Sequence, residues 1–179
     1  MAVILDLQQQ RRRLVAKRGF ETWTRRFSDS FDEQTCVVDL SDTALRTLIQ
    51  HEEGPSLLIY GLIMGFLGLG KGATFFDLES RLRLEVMDTS LFLLDQLRFE
   101  VMRRLGWVEP SPFCLVPLLD LVERFSTVYS GMKNQTPRLL QSHPRYPEYL
   151  EVFEEDRGGF VRRLIPDAIQ AFQEQEEGA

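Results

Sequence analysis

Residues 78–106 read LESRLRLEVMDTSLFLLDQLRFEVMRRLG, and the spacing of their apolar positions decides the fold. Leu78, Leu82, Val86, Leu93, Leu97, Val101 and Leu105 recur at steps of four and seven, which a 3.6-residue repeat gathers into one stripe. The phase holds across Asp88, Thr89 and Ser90, so one long helix is predicted, and Gly106 is placed to end it as a left-handed residue. Thr74, followed three residues later by Asp77, matches a capping box and sets the start near Phe75. A helix of about 30 residues would be about 45 Å long, more than a compact domain of this size requires, which leaves part of it to reach a partner.

Working outward, the same helical period recurs almost everywhere and strict alternation is rare, so the chain reads as all-α: a bundle of about six helices in a single domain spanning residues 1–179. Residues 8–31 form a basic amphipathic helix within the segment 1–31, with Ala16, Phe20, Trp23, Phe27 and Phe31 on one face and Gly19 as a tolerated interruption. Residues 35–40 have brief strand character and serve as an extended connector. Ser41 or Asp42 caps a helix running through His51, which Gly54 and Pro55 should stop. An apolar helix over residues 56–66 precedes the loop Gly68, Leu69, Gly70, Lys71, Gly72. Leu118, Leu121, Val122, Phe125, Val128, Tyr129 and Met132 mark a further core helix. Residues 133–147 form a loop containing Pro137, Pro144 and Pro147, and acidic helices over residues 148–156 and 160–174 close the chain, the last kinked by Pro166.

Composition excludes several classes. With 179 residues, 44% of them hydrophobic and thirteen Phe, the chain has the apolar content of a packed domain rather than of a disordered one, and no repeat sets a fibrous or solenoid period. Cys36 and Cys114 fit neither a CxxC pair nor a disulfide framework, which favours a reducing, cytoplasmic setting. The opening residues lack the basic region of a secretory signal. Residues 54–70 are uncharged but short for a membrane span and punctuated by Pro55, Tyr60 and glycines, so burial in the bundle is expected.

Charge is asymmetric. Residues 1–30 carry seven Arg or Lys against three acids, or +4, so a net charge of −6 leaves −10 for the rest. Arg11, Arg18 and Arg25 align at sevens, nearly opposite Phe20, Phe27 and Trp23. That stripe either meets an anionic surface or is solvated while the aromatic face enters the core. A pI near 5.1 argues against nucleic acid, and no nucleic-acid partner is expected. The acidic end offers a head-to-tail partner for the basic one, although exposed ion pairs contribute only about 0–1 kcal/mol each.

Gly54, Gly61, Gly65, Gly68 and Gly72, spaced by seven, four, three and four, fall on one helical face. Glycine inside a helix costs up to about 1 kcal/mol relative to Ala, so a close approach by another helix is expected there, from the same chain or a second copy. The stretch from Gly65 to Gly72 also matches GxxxxGK, yet Gly72 stands where a P-loop needs Ser or Thr to hold magnesium. A looser anion site at Lys71 with Gly70 and Gly72, assisted by Tyr60 or Arg81, is the alternative.

Catalytic material is sparse. No HExxH or Cys-His cluster surrounds His51 or His143, and Asp95 and Asp120 are expected to pair with Arg98 and Arg124 on exposed faces. No metal site and no cofactor are implied. The leading expectation is a non-catalytic protein-interaction module, self-associating as a homodimer, with Gly61, Gly65, Gly68, Phe20, Trp23 and Phe27 as packing or interface residues. A ligand-binding or enzymatic domain with a site near Lys71 is the second, and peripheral membrane association through residues 8–31 or 54–70 the third.

Overall fold

A computed structural model of the chain describes residues 2–50 and 52–178, with side chains described for 6–50 and 52–176. The described residues are helical and contain no strand, as the apolar spacing requires; two isolated bridges join Cys36 to Pro117 and Val108 to Leu139. In order, the helices are α1 Ala2–Gly19, α2 Glu21–Phe27, α3 Asp42–Leu48, α4 Glu53–Leu67, α5 Ser80–Arg104, α6 Leu118–Arg124, α7 Tyr146–Glu151, α8 Arg157–Arg163 and α9 Ile165–Glu177.

Two helices organise the rest. α4 is apolar on nearly every side, so it can be stable only where other elements surround it. It packs against α1, α2, α3, α5, α6 and the 3-10 turn Gly72–Asp77. α5 carries the decisive stripe and is about 37 Å long. Its Val86, Phe92, Leu93, Leu97 and Val101 join the main core with Trp23, Leu45, Ile63 and Phe172. Phe99 and Met102 turn to a second cluster with Tyr149, Phe160, Val161 and Leu164, so α5 is shared by both cores.

α5 ends where expected and starts later than expected. Its C-terminus is a Schellman motif: Gly106 has φ +73°, its amide donates to Arg103 O, and the Trp107 amide donates to Met102 O at 2.9 Å. Its start lies at Ser80, later than the capping-box position, because Thr74 turns its hydroxyl back to Lys71 O and holds residues 72–77 in a 3-10 turn. The expected 30-residue helix therefore has 25.

Other boundaries shift too. The expected first helix is interrupted at Phe20 and ends at Phe27, where Ser28 takes φ +56°. Ser41 caps α3 as expected, accepting the Ala44 amide at 3.2 Å; the helix ends at Leu48, and His51 lies outside the described residues. Gly54 and Pro55 open α4 rather than stopping its predecessor, since a proline in the first helical turn forfeits an amide that has no partner there anyway. Residues 125–132 continue α6 only as a π turn and a 3-10 turn. Gly158 and Gly159 start α8 instead of ending its neighbour, and the kink expected at Pro166 is a full break at Leu164.

Among the described residues no helix is long and apolar enough to cross a membrane. Of the two ion pairs expected within single helices, Asp95 with Arg98 forms at 3.9 Å, though both side chains are largely buried rather than on an exposed face, and Asp95 also accepts from Arg162 of α8; Asp120 instead accepts from Arg12 of α1 at 2.8 Å. The acidic end meets α3 through Arg46 and Glu176 at 3.7 Å.

Candidate functional site

The glycine stripe and the Lys71 loop form one cleft. Its floor is Gly61 and Gly65 of α4 with Gly68, Gly70 and Gly72 of the following turn, and its walls are Arg18 of α1, Thr22 and Arg25 of α2, and Lys71. The cavity measures about 330 Å³. Six residues predicted as two separate features thus converge, although as a helix plus a turn: Gly68 sits at the left-handed end of α4 and Gly72 lies beyond it.

Close approach explains the floor. A Cβ on Gly65 would stand 2.8 Å from Gly19 Cα and 3.0 Å from Arg18 O, so the end of α1 rests directly on the α4 backbone. A Cβ on Gly72 would stand 2.6 Å from Leu57 O, which presses the loop against the other flank of α4. The helix approach at these positions is within the chain. The stretch that resembles a P-loop runs from helix to turn to 3-10 segment, whereas a P-loop runs from strand to helix.

Arg18 reaches the C-terminus of α4, donating from Nε to Gly65 O and from Nη2 to Phe66 O at 3.2 Å. It thereby satisfies carbonyls that a helix end leaves unpaired, and its Nη1 makes no bond to a described group. Arg25 donates to Glu21, the one carboxylate lining the cleft, at 3.0 Å. Lys71 has no ion pair among the described residues, and the amides of Gly70 and Lys71 donate to no described group.

Tyr60 and Arg81 do not take part. Tyr60 stacks on Phe75 at 4.3 Å, and Arg81 pairs with Glu85 along exposed α5. Sequence reasoning missed Arg18, Thr22 and Arg25 as wall residues. The seven-residue spacing of Arg11, Arg18 and Arg25 was the available signal, and nothing in it pointed inward to a glycine floor.

The aromatic residues proposed for an interface lie inside or at the margin of the main core. Phe20 and Trp23 are buried, with the indole Nε1 donating to Leu58 O at 2.9 Å, and Phe27 is half-buried against Trp23. What α1 leaves outside is different. From Asp6 to Arg11 every side chain is exposed, the first buried one is Ala16, and Leu7 and Leu14 are 61% and 68% exposed. A larger cavity of about 790 Å³ lies between residues 136–142 and the α7 and α8 region, with Arg138, Tyr146, Tyr149 and Arg157 among its walls.

No reactive constellation forms elsewhere among the described residues. Burial, followed by the Asp39 carboxylate, pushes the Cys36 thiol up, and burial with Glu100 does the same to Cys114, so both favour the protonated and poorly nucleophilic form. His143 is buried edge-on to Trp107 and accepts the Arg145 amide on Nδ1; burial, with Arg145 adding to it, pushes its imidazole down. No group of three or more metal-ligating side chains gathers among the described residues. Compared with known families, curated proteins and solved structures, the chain matches none.

Proposed function

We propose that the protein is a non-catalytic helical interaction module that self-associates through residues 6–14 of α1. The observation that carries this reading is that every side chain from Asp6 to Arg11 is exposed within a continuous helix. Isolated helices shorter than about 12–15 residues are marginal in water, and most helical stability in proteins comes from packing a face against something. A helical stretch exposed all round therefore calls for a covering partner.

Leu7 and Leu14 supply the face. Seven residues apart, they stand within about 20° of each other around the axis, the seam that two helices use when they wrap together. A second copy of the same helix presents the matching seam, and a two-fold contact is the commonest way for identical chains to pair. Burying four leucines gains about 6–12 kcal/mol. Association costs at least about 4 kcal/mol, so these side chains alone support a dissociation constant no tighter than about micromolar.

Sedimentation equilibrium tests the reading. The wild-type chain is expected to move from 20.8 kDa toward twice that mass as concentration rises to about 100 μM. Leu7→Glu with Leu14→Glu, which lie outside the core, should keep the fold and remain at the monomer mass. A wild-type chain that stays monomeric throughout contradicts it.

A further inference from the structure

We infer that the glycine-floored cleft binds a phosphoryl group, as a small phosphate monoester or a phosphorylated headgroup, without a metal ion. Three cations from three different elements converge on it: Arg18 from α1, Arg25 from α2 and Lys71 from the turn after α4. Only Glu21 opposes them, so the lining carries a net +2. The C-terminus of α4, whose Gly65 O and Phe66 O accept from Arg18, subtracts about half a charge and leaves about +1.5. A dianion matches what remains better than a carboxylate does.

Donors are available as well as charge. Arg18 Nη1, the Lys71 ammonium, the Thr22 hydroxyl and the amides of Gly70 and Lys71 have no acceptor among the described residues, while phosphate offers several strong acceptor oxygens. Gly65 and Gly72 let α1 and the turn close onto α4 and so shape the cleft, while the atoms nearest the side-chain direction of Gly68 are those of the Arg18 guanidinium. At about 330 Å³ the cleft lies at the small end of ligand sites, which suits a phosphate with a compact substituent and excludes a dinucleotide. Glu21, the one carboxylate in the lining, is held by Arg25, so the cleft offers a metal ion no set of ligands. The site is separate from the leucines of α1, so its failure leaves self-association standing.

The test is isothermal titration of the full chain with glycerol 3-phosphate, alongside co-sedimentation with phosphatidylcholine vesicles containing phosphatidic acid. Lys71 and Arg25 are exposed, so Lys71→Ala and Arg25→Ala should fold normally. Each is expected to weaken binding about tenfold or more, because a charge-assisted hydrogen bond is lost. Arg81→Ala should leave it unchanged, and added salt should weaken it. Binding of the soluble ester assigns a small-molecule ligand; Lys71-dependent binding of vesicles alone assigns a headgroup. Absence of both, or binding indifferent to Lys71→Ala and Arg25→Ala, overturns the inference.

Discussion

Replacing the glycines of α4 one at a time by alanine should split a stripe that looks uniform in sequence. An alanine in a helix is favoured over glycine by about 1 kcal/mol, and this gain is common to every site. The opposing term differs. At position 65 the new Cβ meets backbone atoms at 2.8 and 3.0 Å, where only a shift of α1 away from α4 gives relief. Overpacking of that kind costs about 1–3 kcal/mol, and two rigid backbone contacts put this site at the upper end, for a net loss of about 2 kcal/mol. At position 61 the nearest atom outside the helix is Gly72 N at 3.7 Å, an ordinary contact. Gly61→Ala should therefore stabilise by up to about 1 kcal/mol. For a chain of this size, 1 kcal/mol moves Tm by about 2–4 °C, so calorimetry should place Gly65→Ala about 4–8 °C below wild type and Gly61→Ala at or slightly above it. If Gly65→Ala melts with or above Gly61→Ala, α1 does not rest on α4 as described.

Three further predictions concern ionisable groups in the interior. Arg104 donates to the buried Glu100 carboxylate, to Asp42 and to the carbonyls of Val38 and Leu40, so Arg104→Met should cost about 3 kcal/mol in urea denaturation; a loss under about 1 kcal/mol would count against that hub. Burial pushes the Glu100 carboxyl up, but hydrogen bonds from Arg103 and Arg104 outweigh it and hold the native value below the usual one. Its contribution is thus complete above the ordinary carboxylate range and is lost as pH falls through the depressed native value, so Glu100→Gln should flatten the stability profile below about pH 5. His143, whose native value burial and then Arg145 lower, should titrate by NMR below about pH 6.5. Because the unfolded imidazole takes up its proton first, that group removes stability as pH falls; a native titration above the ordinary value contradicts its burial.

Periodicity carried the architecture well where one face alone was at issue. The α5 stripe, the Gly106 terminus and the Ser41 cap are local patterns, and the structure contains all three. Signals with two meanings were read less well. Proline and glycine at 54–55 suit a helix start as well as a stop, and Thr74 with Asp77 builds a 3-10 turn as readily as a cap. Partners distant in sequence were beyond local reading: Asp120 finds Arg12, not the nearby Arg124, because tertiary packing brings α1 to α6. The cleft was half legible for the same reason. Its loop and floor share one stretch of sequence, whereas Arg18 and Arg25 join them only once Gly19 has met Gly65.

Hydrogen exchange across residues 6–14 tests whether this stretch of α1 is a covered surface. Self-association predicts slow exchange of these amides at about 100 μM, accelerating on dilution and in Leu7→Glu with Leu14→Glu. Fast exchange at every concentration, or protection that the double variant leaves intact, would contradict it.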